Sequence, residues 1–137
     1  GTDMQRFPTA AHAVSWAGLA PGRNESAGRN SSAKTVKGNR HLKSQLVQAA
    51  HTVARSKDNY LGALFRRLAT RRGKKRAAVA VARTILVIAY HMLRRRTEYI
   101  ELGADYLDKL NQQEVERRLV KRLSQLGYEV ILQPLPT

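Results

Sequence analysis

Apolar residues recur at helical spacing through most of this 137-residue chain. After Asn39, a residue suited to cap a helix, Leu42 and Leu46 begin one apolar face. The segments 59–72 and 111–126 repeat the pattern, the first after Asp58 or Asn59 as cap and the second with leucines expected to face inward. The pattern predicts an all-α fold, a compact multi-helix domain.

The longest predicted helix covers residues 74–96, and its part 85–90 is apolar on every side. This is typical of a helix surrounded by others, so we expect 85–90 at the centre of the domain. The apolar run 77–93 is shorter than a usual membrane span. It also contains Arg83, which would cost about 2.5–3.5 kcal/mol at the middle of a bilayer. We therefore expect a buried helix and no membrane partner.

Residues 20–38 are predicted to form a long functional loop near the N-terminus. The part 22–38 is basic, rich in Gly, Ser and Asn, and has no periodicity, and loops of this length in a compact domain are often functional. At the other end, 111–137 is predicted to be a C-terminal helix and tail, in which 128–132 could form one short strand but has no partner within the chain. We expect 1–137 to be one domain.

The charge is strongly positive, with 25 Lys and Arg against 10 acids and a net charge of +15. Between residues 29 and 96 there are 18 basic residues and one acid, Asp58. This balance favours nucleic acid as the partner, with an anionic membrane surface as a weaker reading. The chain has no cysteine, and its four histidines lie far apart, so we expect no metal site and a cytoplasmic location.

Two groups of basic side chains are candidate phosphate contacts, because aromatic residues for base stacking are few. The first group lies in and after the loop, and the second in the run TRRGKKR at 70–76. They comprise Arg23, Arg29, Lys34, Lys37 and Arg40, and Arg71, Arg72, Lys74, Lys75 and Arg76. The alternative interpretation of the second group is a solvated turn that binds nothing.

The runs SWAGLAPGRNESAG at 15–28 and KGNRHLKSQLVQAA at 37–50 carry a family resemblance. They resemble insertion-sequence transposases of bacteria that join an amino-terminal RuvC-like DEDD domain to a carboxy-terminal serine domain. Piv-type DNA invertases and RNA-bridged recombinases are relatives of that family. The resemblance continues through 66–77 and 89–93.

The resemblance implies a serine nucleophile that attacks a DNA phosphodiester. Ser26 matches the serine of the family pattern, although Ala27 separates it from Gly28 where many members have Ser-Gly; Ser31 and Ser32 are the alternatives. A serine hydroxyl needs activation, and the loop has no His or Asp for it. We expect the missing amino-terminal domain, with a divalent metal such as Mg²⁺, to supply that activation.

The resemblance also implies that this chain is a fragment, inactive alone and without a cofactor of its own. DNA is the expected partner of the full-length protein, together with a structured guide RNA in some relatives and with further copies of itself. A second function remains open: a basic helical module that binds DNA or RNA without chemistry. The loop distinguishes the two functions. Strand transfer requires one of its serines, whereas binding alone requires only its basic side chains.

Overall fold

The computed structural model describes residues 2–20 and 37–136, and the backbone alone at 25–26 and 29–30. The prediction of an all-α fold is confirmed. In chain order the elements are a 3-10 helix Met4–Arg6, α1 Ala10–Trp16, β1 Glu25–Ser26, β2 Arg29–Asn30, α2 Arg40–Ala54, α3 Tyr60–Arg72, α4 Lys74–Arg95, α5 Tyr106–Leu110 and α6 Gln112–Gln125. The two-residue strands β1 and β2 pair antiparallel.

The chain divides into two compact units, Gly1–Ala104 and Asp105–Thr137. In the first unit α4 packs against α1, α2 and α3. The buried core consists mostly of small residues, which let the helices approach closely. Its members are Val14, Ala17, Leu19, Ala50, Phe65, Ala77, Ala78, Val81 and Ala82.

The buried part of α4 is only partly where its sequence pattern placed it. Full burial falls mainly on the first half, at Ala77, Ala78, Val81 and Ala82, and within the predicted range 85–90 it falls on Tyr90 alone, since the side chains of 85–89 are partly buried. The physical reason is that small side chains allow neighbouring helices to approach closely and cover them completely. The larger side chains of the second half instead line a groove of about 730 Å³ beside α1 and α2.

By length and apolar composition alone, α4 could cross a bilayer. A core helix of a folded domain meets the same criteria. Here α4 packs against three other helices, and Arg83, the charge in its middle, is exposed to solvent. These contacts are those of a core helix.

Asparagine side chains begin both α2 and α3. The Asn39 side chain accepts a hydrogen bond from the Leu42 N–H at 3.1 Å, and the Asn59 side chain accepts one from the Gly62 N–H at 2.7 Å. Each bond satisfies a backbone donor that the first helical turn leaves unpaired. The predicted helix starts are confirmed at these two residues.

The second unit contains α5 and α6. The prediction that the α6 leucines face inward is wrong, since Leu119, Leu123 and Leu126 are 56%, 43% and 73% exposed and no residue of α6 is buried. Within this unit only the five-residue α5 packs against α6, and it is too short to cover that face. The short strand suggested for 128–132 is also absent from the described residues, as it has no neighbour with which to pair.

Candidate nucleic-acid interface and serine loop

The segment that contains Ser26 leaves α1 through a tight turn at Gly18. The Leu19 N–H donates to the Val14 carbonyl, and the Gly18 N–H donates to the Ser15 carbonyl, both at 3.0 Å. With φ of +74° at Gly18, this is a Schellman turn, which favours glycine because other residues are strained at positive φ. Leu19, the next residue, is 1% exposed and anchors the turn in the core.

The same segment returns to the helices at Gly38, directly against Gly18. A Cβ atom at Gly38 would lie 2.2 Å from the Gly18 nitrogen and 2.6 Å from the Trp16 carbonyl oxygen. The Asn39 N–H donates to that carbonyl oxygen at 3.1 Å. The two halves of the sequence motif, WAGL and KGN, therefore meet and hold the two ends of the segment together.

Between these ends, the backbone of Ser26 lies in β1. Its strand partner is Arg29, and Glu25 is opposite Asn30. The other candidates of the loop, Arg23, Ser31, Ser32 and Lys34, lie outside the described residues. Ser26 as the nucleophile therefore stays a prediction.

Five basic residues surround the junction of α3 and α4. Arg71 and Arg72 end α3, Lys74, Lys75 and Arg76 begin α4, and Gly73 joins the helices with φ of +86°. All five side chains are exposed. None has an ion pair with any residue that the structure describes.

The two helix ends differ in their electrostatics at this junction. Positive side chains are favourable at the C-terminus of α3 and unfavourable in the first turn of α4, because of the helix dipoles. Gly73 supplies no side-chain cap for α4. The junction thus concentrates exposed positive charge beside backbone N–H groups, and its charge matches that of phosphate.

The loop end and the basic junction lie beside different parts of α4. Leu42 and Leu46, near the start of α2, line one groove with Leu86 and Ala89. Arg40 and the exposed Lys37 precede them, so this basic group lies near the second half of α4. Ten to thirteen residues of α4 separate Arg76 from Leu86 and Ala89, which is roughly 15–20 Å along the helix at 1.5 Å per residue.

The structure separates arginines that maintain the fold from arginines that are free to bind. Arg66 donates to the carbonyl oxygens of Ser56 at 2.8 Å and Lys57 at 3.3 Å, which attaches α3 to the connection that follows α2. Arg94 donates to the Phe7 carbonyl oxygen at 3.2 Å, which also accepts from the Tyr90 hydroxyl at 2.7 Å.

Two further exposed arginines, Arg67 and Arg83, were not among the sequence candidates. Arg67 lies one turn before Arg71 on the same face of α3. Arg83 lies two turns after Arg76 on the same face of α4. The sequence signal for Arg83 was its position as the single charge within the apolar run 77–93. Both residues extend the basic surface along α3 and α4.

Two of the histidines lie against aromatic rings. The His51 ring lies 5.7 Å from that of Phe65, and the His91 ring 5.3 Å from that of Tyr90. Within 2–20 and 37–136, no group of three or more His, Asp or Glu side chains could hold a metal ion.

One comparison with known proteins gives a match. Residues 2–66, slightly under half of the chain, match the family described as "Transposase IS116/IS110/IS902 family". No curated protein and no solved structure matches the chain significantly. The matched part contains both motif halves and everything between them, and ends before the basic junction. This match supports the interpretation that the chain is related to insertion-sequence transposases.

Proposed function

We propose that this chain is the DNA strand-transfer part of an insertion-sequence transposase and that Ser26 is its nucleophile. The observation that carries the proposal is the family match over 2–66, because it spans the whole segment held between Gly18 and Gly38. A serine in a loop is by itself a weak signal. Ser26 is the favoured residue of the three serines because it lies in the run SWAGLAPGRNESAG at 15–28, where it corresponds to the serine of the family pattern.

The proposed step is a transesterification. The Ser26 hydroxyl oxygen attacks the phosphorus of a DNA phosphodiester, its proton passes to a base, and one bond from phosphorus to a deoxyribose oxygen breaks. The product is a phosphoserine ester and a DNA strand that ends in a free hydroxyl. Attack by the hydroxyl of another strand reverses the chemistry and rejoins the DNA, so no nucleotide cofactor is consumed.

The charges of the chain support a DNA substrate. Lys37, Arg40 and the five residues of the basic junction are exposed, and they suit contact with the phosphate backbone rather than recognition of bases. In our proposal a metal-dependent amino-terminal domain activates the serine, with Mg²⁺ bound there. A guide RNA, assembly of several copies and a cytoplasmic location are further parts of the same proposal.

The test is a cleavage assay on end-labelled duplex with the full-length protein, in which denaturing gels detect a covalent protein–DNA adduct. We expect Ser26→Ala to abolish the adduct and to leave DNA affinity nearly unchanged, because a hydroxyl contributes little to charge-driven binding. Ser31→Ala and Ser32→Ala should keep the activity. Ser44→Ala, an exposed serine of α2, is the matched control outside the loop.

The outcomes separate the proposal from a purely binding role. If Ser31→Ala or Ser32→Ala alone loses the adduct, the nucleophile is that serine and not Ser26. If parent and variants bind DNA equally and none forms an adduct, the chain is a non-catalytic nucleic-acid-binding module.

A further inference from the structure

We infer that the groove beside α1, α2 and α4 binds an unpaired nucleotide of the DNA, with its base stacked on Trp16. The inference rests on the proposed function for the identity of the nucleic acid, and it adds a site for a base to the phosphate contacts described above. Strand transfer moves a strand from one partner to another, so bases have to leave their stack during the exchange. Such bases are held by stacking on aromatic side chains.

The groove, of about 730 Å³, has the size and the lining of a ligand site. Clefts that bind small ligands measure about 300–1,000 Å³ and are lined mostly by apolar and aromatic side chains. Here the lining comes from the N-terminal segment, α1, α2 and α4, and it includes Phe7, Trp16, Leu42, Leu86 and Leu93. Trp16 and Leu93 are 52% and 45% exposed. The groove is therefore open to a flat, largely apolar ligand.

The Trp16 ring is held in place by its neighbours. Its centroid lies 5.7 Å from that of the Phe7 ring, with 56° between the ring planes. The Phe7 carbonyl oxygen accepts hydrogen bonds from the Tyr90 hydroxyl and from Arg94, which attach the N-terminal segment to α4. The Trp16 carbonyl oxygen accepts the Asn39 N–H at 3.1 Å. A ring that is fixed and yet half exposed can stack on a base without first being ordered.

The charges around the groove suit the phosphate of the same nucleotide. Arg6 is part of the lining, and Arg83 lies one turn before Leu86 on the same side of α4. Arg96 lines a neighbouring polar cavity of about 830 Å³, which shares Leu93 with the groove. These three arginines are exposed, and none has an ion pair with a residue that the structure describes.

Charge complementarity favours a nucleotide over other occupants. Among the described lining residues the acid is Asp3, whose carboxylate accepts the Gln5 N–H at 3.0 Å and caps the 3-10 helix. With three arginines against this one acid, the surroundings of the groove are positive. An apolar helix of a second copy would leave these charges without partners. A duplex keeps its bases stacked inside, so a single-stranded segment is the form of DNA that satisfies both the ring and the charges.

Trp16 is the single tryptophan of the chain, so its fluorescence reports on the groove directly. We expect a short oligothymidine strand to quench this emission in a saturable titration, because the stacked base lies against the ring. An abasic strand of equal length carries the same phosphates without bases. It should bind about tenfold more weakly and leave the emission nearly unchanged. A fully paired hairpin should bind through the basic junction and also leave it unchanged.

A variant tests the ring itself. Trp16→Leu keeps an apolar side chain but removes the flat face, and its affinity is measured by the anisotropy of a labelled strand. We expect about tenfold weaker binding of the oligothymidine strand and unchanged binding of the abasic strand. Tyr128→Leu is the matched control, because it removes an exposed aromatic ring from the second unit. It should leave both affinities unchanged.

Equal quenching by the oligothymidine strand and by the abasic strand or the hairpin overturns the inference. A Trp16→Leu variant that loses affinity for both strands equally has lost a structural contact, which overturns it as well. Trp16 emission that changes with chain concentration alone has the same consequence, since a second copy then occupies the groove. A full-length parent that forms no covalent adduct overturns the proposed function instead, and the quenching titrations then still decide whether the groove binds a base.

Discussion

The backbone N–H of Tyr60 donates to Glu101 Oε2 at 3.0 Å, across 41 residues of sequence. The same oxygen accepts the Gly103 N–H at 2.8 Å. Glu101 therefore attaches the segment after α4 to the first turn of α3, where a negative charge is also favoured by the helix dipole.

Replacement of Glu101 by Gln should loosen this attachment. The hydrogen bonds from Gly103 and Tyr60 lower the pKa of Glu101 below its ordinary 4.5. The ionised carboxylate is thus favoured by folding, so its contribution is present above pH 4.5 and is lost as the pH falls through the lower folded value. At neutral pH we expect faster hydrogen exchange at the Tyr60 and Gly103 amides in Glu101→Gln.

The control for this experiment is Glu98→Gln, which removes the same charge from an exposed residue nearby. Equal exchange in the two variants would mean that Glu101 does not hold the segment. The difference between Glu101→Gln and the parent should also disappear in acid, where the carboxylate is protonated in both states.

Arg66 and Arg67 are adjacent and both exposed, but replacement of Arg66 should lower stability and replacement of Arg67 should lower DNA affinity. Because Arg66 bonds the carbonyl oxygens of Ser56 and Lys57 between α2 and α3, Arg66→Ala should cost about 1–2 kcal/mol of unfolding free energy. Arg67→Ala should change stability by less than about 0.5 kcal/mol and weaken binding to duplex DNA. Urea unfolding and a binding titration on both variants check this, and equal effects on stability would contradict it.

The five residues of the basic junction should account for much of the salt dependence of binding. Neutralising Arg71, Arg72, Lys74, Lys75 and Arg76 together should make the slope of log affinity against log salt less steep, by up to about 0.9 for each DNA phosphate that the variant no longer neutralises. The measurement is a titration with a non-specific duplex at several salt concentrations.

The matched control neutralises five basic residues of the second unit, Lys109, Arg117, Arg118, Lys121 and Arg122. It changes the net charge equally but leaves the junction intact. If both variants reduce the slope by the same amount, net charge rather than the junction determines the affinity.

Local signals in the sequence were sufficient for the starts of α2 and α3 and for the ends of α1 and α3. Asn39 and Asn59 cap α2 and α3, and Gly18 and Gly73 end α1 and α3, because capping depends on residues within one turn of each other. The approach of Gly38 to Gly18 could not be predicted in the same way. It is a contact between backbones twenty residues apart, and it leaves no periodic pattern.

Helical periodicity also failed where an apolar face had to be assigned a neighbour. The spacing of Leu119, Leu123 and Leu126 correctly indicated a helix, but a pattern within one helix contains no information about what covers it. In α4 the apolar second half was expected at the centre, whereas full burial falls on alanines 77, 78 and 82 of the first half and, in the second half, on Tyr90 alone. Within the candidate site, the exposure of 71–76 agreed with the sequence, whereas the structural role of Arg66 depends on carbonyl oxygens that only the folded chain brings near it.

The uncapped first turn of α4 links folding to ligand concentration. Three cations beside unpaired N–H groups leave this turn less stable than its apolar continuation. A polyanion that binds only the folded form neutralises them and adds RT ln(1 + [L]/Kd) to the free energy of unfolding, about 2.7 kcal/mol at a hundredfold excess over Kd. The melting temperature of this chain should therefore depend on the ligand in solution as well as on the sequence. It should rise with the concentration of duplex and decrease again as salt is added.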